Sequence, residues 1–268
     1  MAEEVAVRHP SKDGLPIVHN VNRSDVKMAL MKGIADFNAR PSHLLFLSVI
    51  YPVMALIMAR LSFGYDVLPL LFPLLAGGAI IGPLAATGMY EISRRRARGR
   101  DVSWTHAFDV FRSPAFPQIA LFGLFLIVIF LAWMGTAQAI YVAIFGDTVP
   151  ETIGGFVDQI FLTKEGWTLM LVGTGAGFLF AVVALSVSIV SIPLMLDQNV
   201  NVVTAIRTSI RAVAINPQSM SVWGLIVAVS LFLGSIPFFV GLAVVMPILG
   251  HATWHLYCQI VERTPQYD

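Results

Sequence analysis

Two histidines stand where they could act together in this 268-residue sequence: His251 and His255 are four residues apart, hence on one face if their segment is helical. Imidazoles at that spacing share a metal in H-x-x-x-H zinc sites, but a closed site needs further ligands. His43, His106, Glu91 and Asp197 are the residues that could complete a set if the fold gathered them. Because both imidazoles project from one helix, they cannot clamp a haem from opposite sides. The plainer reading gives them hydrogen bonds to neighbouring helices or interfacial water, beside Trp254 and Tyr257 in an aromatic belt. No cofactor is expected.

A second chemistry needs no charged side chain. Glycines and prolines that interrupt a membrane helix expose backbone groups able to bind a solute, and Gly82, Pro83, Pro193 and Pro247 are placed for this. The arginines at 94, 95, 96, 98 and 100 read first as a stop-transfer and orientation signal that also attracts anionic lipid. There is no glycine-rich phosphate loop, nucleophile elbow, H-E-x-x-H or cysteine pair, so no catalytic residue is assigned. Small residues at Gly173, Gly177 and Ala181, spaced by four, point to close helix contact.

The elements that must position these residues follow from composition. The chain is 57% hydrophobic and 12% charged, with a formal net charge of +1 and mean hydropathy of +0.77. A soluble domain carries about 25% charge, so this is an all-α polytopic membrane bundle, and a nucleic-acid binder is set aside. A span needs about 20 apolar residues. Six uncharged stretches qualify, at about 44–59, 67–90, 119–145, 167–196 and two within 220–260, divided by Gly234, Ser235 and Pro237. None holds an Asp, Glu, Lys or Arg at its centre, which argues against ion-coupled transport.

Fifteen of the 17 lysines and arginines fall on one side of these spans, leaving only Arg60 and Lys164 opposite. The positive-inside rule therefore places both termini in the cytoplasm and leaves an acidic loop, 146–165, outside. Ahead of each outward span lies a short amphipathic segment with a polar cap and a closing proline. The first begins at Ser24 with Val26, Leu30, Ile34 and Phe37, the second at Ser103 with Trp104, Ala107, Phe108 and Phe111, and the third at Asn201 with Val202, Ile206, Ile210 and Val213. The architecture predicted is three repeats of cytoplasmic amphipathic helix and two spans. Residues 1–22 form a flexible tail, 23–262 the membrane domain and 263–268 a short tail, and the lone Cys258 forms no disulfide.

The residues Ile17-Val18-His19-Asn20 and Ser24-Asp25-Val26, with the stretches 29–41, 83–91 and 247–257, resemble a bacterial, mainly proteobacterial, family of predicted six-helix integral membrane proteins of unknown function. The resemblance runs from about His19 to Glu262 and implies an inner-membrane protein without an assigned activity or site residues. More loosely, the repeated unit is similar to membrane domains found beside glycerophosphodiester phosphodiesterases, although this chain has no such catalytic domain. The reading reached is a non-enzymatic scaffold, assembly factor or accessory subunit of a membrane complex, its partners the lipid bilayer and other membrane proteins or copies of itself. The alternatives are a small-solute or lipid transporter, and a metal- or haem-binding subunit using His251 and His255.

Overall fold

The computed structural model describes residues 14–39, 68–146, 150, 152–237 and 239–263. Among them are ten α-helices and one 3-10 helix. In chain order these are α1 (Arg23–Ala39), α2 (Leu68–Ala85), α3 (Thr87–Ala97), the 3-10 helix (Trp104–Arg112), α4 (Phe116–Phe145), α5 (Ile153–Leu162), α6 (Lys164–Ser188), α7 (Ser191–Gln198), α8 (Val202–Ile215), α9 (Pro217–Ser235) and α10 (Leu242–Ile260). The first expected span, 44–59, lies outside the described residues, as do His43 and Arg60.

Four stretches are long and apolar enough to cross a bilayer: Leu68–Ala97, Phe116–Phe145, Lys164–Gln198 and Pro217–Ser235. They match the second to fifth expected spans. The sixth coincides with α10, which has the length but not the hydropathy, because His251, Thr253, His255 and Gln259 occupy its second half. That polar half is buried. Trp254, Tyr257 and Ile260 have no exposed surface, and with Trp223, Ile192 and Met195 they form the core. Elsewhere the long helices turn large apolar side chains outward, Leu171 at 78% and Phe232 at 68% exposure, as helices do whose solvent is lipid.

Two of these crossings are broken near a proline. Pro83 precedes a single non-helical residue, Ala86, and there the Thr87 hydroxyl donates to the Leu84 carbonyl at 2.7 Å. The other break, at Ile189 and Val190, precedes Pro193, which offers no amide to a carbonyl one turn earlier. Pro247 lies inside α10 without interrupting it. Of the turn expected at Gly234-Ser235-Pro237, Gly234 and Ser235 are the last residues of α9, and a Cβ on Gly241 would fall 2.8 Å from the Gly234 Cα, so the hairpin closes glycine against glycine.

The three amphipathic segments are found where expected, with three differences. The cap of α1 is Asn22, not Ser24: its Oδ1 accepts from the Ser24 amide at 2.7 Å while Asp25 Oδ2 accepts from the Asn22 amide at 2.8 Å, a reciprocal pairing a serine two residues later cannot make. The middle segment winds as a 3-10 helix. Most consequentially, the face turned to the bundle is the small one. In α1 the buried residues are Val26, Ala29, Gly33 and Asp36, whereas Ile34 is exposed; in α8 they are Ala205, Thr208, Ser209 and Ala212, whereas Ile210 is exposed. Small residues admit close backbone approach, and in lipid a large side chain gains little by turning inward. At Gly33 a Cβ would meet the Ala252 Cβ at 2.6 Å, so α1 and α10 cross nearly in backbone contact.

Two other expectations change. The acidic loop 146–165 contains α5, capped by the Thr152 side chain accepting from the Gly155 amide at 3.0 Å. The tail read as flexible through residue 22 is held in its last part: Val18 pairs antiparallel with Val261, and His19 donates to the Ile260 carbonyl at 2.7 Å. A Cβ on Gly173 would meet nothing within 4 Å among the described residues, whereas one on Gly177 would lie 3.2 Å from Trp133, so of the two glycines in the small-residue stripe only Gly177 is closely approached.

Candidate functional site

The polar chemistry collects at one end of the bundle, where α3, α7 and α10 finish beside α1 and the 3-10 helix. It has two nodes, each built on a buried carboxylate.

The first node is Asp36 of α1. Its Oδ2 accepts from the Ser93 hydroxyl at 2.6 Å and from His255 Nε2 at 2.8 Å, and its Oδ1 lies 2.9 Å from the Arg96 guanidinium. Ser93 has one proton and gives it to Asp36, so His251, whose Nδ1 lies 2.8 Å from the Ser93 oxygen, is the donor in that contact. Burial pushes the Asp36 carboxyl up, but the hydrogen bonds from His255 and Ser93 and the neighbouring imidazoles outweigh it and hold the pKa below its ordinary value. Serine, histidine and aspartate side by side invite comparison with a catalytic triad, yet the order is wrong. The serine proton goes to the carboxylate rather than to an imidazole, and Ser93 and His251 have no exposed surface through which a substrate could arrive.

The second node is Asp197, at the end of α7. Arg263 holds it bidentately, Nε at 2.7 Å from Oδ2 and a terminal nitrogen at 3.0 Å from Oδ1. Arg98 and the Tyr257 hydroxyl add bonds at 3.2 and 3.0 Å. Arg263, expected in a short tail, is thus tied to the bundle, with its guanidinium 5.7 Å above the Trp254 ring. Beside this node Arg94 pairs with Glu91 at 2.7 Å and donates to the Leu196 carbonyl at 2.8 Å, satisfying an acceptor at the end of α7. Arg95 reaches Asp109 of the 3-10 helix at 3.0 Å. A cleft of about 290 Å³ opens here, lined by Arg94, Arg95, Arg100 and Arg112 with the three carboxylates between them. A second, wider cleft lies where the segment 20–24 passes Asn216, whose Oδ1 accepts from the Val21 amide at 2.7 Å.

The structure therefore brings His251 and His255 together with Asp36 and Ser93, in a hydrogen-bonded arrangement. Glu91 and Asp197 belong to the other node, and His106 accepts from the Ser103 amide at the start of the 3-10 helix. Among the described residues no group of three or more His, Cys, Asp or Glu has the arrangement of a metal site. Pro193 and Pro247 are packed in the bundle, and neither cleft is lined by Gly82, Pro83, Pro193 or Pro247. The residues that sequence reasoning missed are Asp36, Ser93, Tyr257 and Arg263. Asp36 did carry a signal: it continues the Val26, Ala29, Gly33 face at helical spacing, and an acid on a small-residue face asks for a partner across the interface.

No curated protein and no solved structure matches the chain. Residues 71–197, from the first turn of α2 to the Asp197 node, match the model of a family described as predicted integral membrane protein (DUF2189), the kind of family the sequence resembles, and the four apolar helices are those of an integral membrane protein.

Proposed function

We propose that this protein is a non-enzymatic scaffold, assembly factor or accessory subunit of a membrane complex, spanning a bacterial inner membrane six times with both termini in the cytoplasm. The observation that carries the reading is how the buried carboxylates are used. Asp36 joins α1 to α3 and α10, and Asp197 joins α7 to Arg98 beyond α3, to α10 and to Arg263, three residues past its end. Their partners fasten helix ends to one another rather than line a path through the bundle, which is the use expected of a rigid platform. The pairing of Val18 with Val261 supports termini on one side, and the basic asymmetry of the sequence supports that side being the cytoplasm. The three small-faced segments support the threefold plan.

A transporter reading draws on the breaks at Ala86 and at Ile189-Val190, but the clefts lie away from them. Copurification after mild solubilisation from native membranes tests the scaffold reading, with a defined partner or a homo-oligomer as the expected result. A strictly monomeric protein that moves a solute across liposomes overturns it.

A further inference from the structure

We propose that the arginine-lined cleft at the end of α3 binds the phosphate headgroup of an anionic phospholipid, whose acyl chains lie along the aromatic row of the 3-10 helix. The cleft supplies the charge. Arg94, Arg95, Arg100 and Arg112 line it against Glu91, Asp109 and Asp197, and Asp197 is also neutralised by Arg263 and Arg98, neither of which belongs to the lining. Four guanidinium groups and three carboxylates thus line the opening. Guanidinium groups pair with phosphate oxygens two bonds at a time, which a zwitterionic choline headgroup only partly rewards. A space of about 290 Å³ sits at the small end of ligand pockets, enough for a headgroup and too little for a lipid.

The rim supplies the apolar half. Trp104, Phe108 and Phe111 are exposed, and their rings run in a row with Phe116: centroids are 6.3 Å apart from Trp104 to Phe108, 6.4 Å from Phe108 to Phe111, and 5.3 Å from Phe111 to Phe116. Asp109 and Arg112 come from the same 3-10 helix as this row, and Phe116 opens α4, a helix long and apolar enough to span the bilayer. Charge and aromatic surface therefore adjoin at the depth where a span leaves the membrane, the level of headgroups and upper acyl chains. Free phosphate would use the arginines without the aromatic row. An acidic protein segment would use the arginines without needing a bilayer beside them.

The inference rests on the membrane placement alone, so a failure to find partner proteins leaves it standing. The test is native mass spectrometry and fluorescence titration of the full chain in neutral detergent with phosphatidylglycerol, phosphatidylcholine and inorganic phosphate. Phosphatidylglycerol should bind, and Arg100→Ala/Arg112→Ala should weaken it by roughly tenfold or more, as two lost surface arginines would. Arg207→Ala, a basic change on α8, should leave binding unaltered. Phe108→Ser/Phe111→Ser should weaken the lipid and spare any phosphate binding, which makes the proposal testable even if the arginine variant is poorly folded. Equal binding of phosphatidylcholine, full competition by millimolar phosphate, or lipid binding unchanged in both double variants would overturn it.

Discussion

Asp36 receives a hydroxyl, an imidazole and a guanidinium from two other helices, so its removal takes a charged acceptor from all three. Breaking a buried charged pair costs about 3–5 kcal/mol, toward the lower figure here because Arg96 is 43% exposed. Asp36→Ala should therefore lower the melting temperature of the solubilised protein by several degrees and loosen α1 first. The pH dependence has a definite sign. A carboxyl whose folded pKa is depressed stabilises fully above its unfolded value of about 3.9, and that contribution is lost as the pH falls through the folded value. Hydrogen exchange of the α1 amides, corrected for intrinsic pH dependence, should accelerate as the pH falls below about 4, a response smaller in Asp36→Asn. Tyr257→Phe removes a hydroxyl that donates to the buried Asp197 and should cost about 2 kcal/mol, read as a shift in thermal midpoint.

Among the elements, α1 depends most on shape. With a Cβ at position 33 falling 2.6 Å from Ala252, Gly33→Leu cannot be accommodated by a side-chain rotation and should lift α1 from α10 while the spans remain inserted. Faster tryptic cleavage at Lys27 and Lys32 at unchanged helix content would register the detachment. Helix positions were legible in the sequence because caps, prolines and uncharged runs are local features. Which face turned inward was not, since the rule that buries large apolar residues assumes water outside, and here Ile34 and Ile210 face away from the bundle. The helix α5 was hidden for a related reason: it buries none of its residues and lies among acids and glycines that read as loop. Of the candidate site, the histidine pair was visible from spacing alone. Its carboxylate partner lies 219 residues earlier, and nothing local connects the two.

For the whole molecule, the six-crossing plan predicts that activity reporters fused at either terminus act from the cytoplasm and that one inserted at Gly154 acts from the opposite side. A reporter at Gly154 acting on the same side as the termini would remove the middle pair of spans. The crossing of α1 with α10 also sets an order of events during synthesis. The early helix α1 can find its seat only after α10 has been made, because the residues that receive it, Ala252 and His255, lie more than 200 residues later in the chain. At 5–20 residues per second the separation corresponds to roughly 10–45 s in which α1 must wait at the membrane surface, its small face and Asp36 unpaired. The docking of α1 thus reports that α10 has been made. A chain truncated before α10 would leave an amphipathic helix whose acid lacks its α10 partner, a feature by which copies without α10 can be told from those that have it.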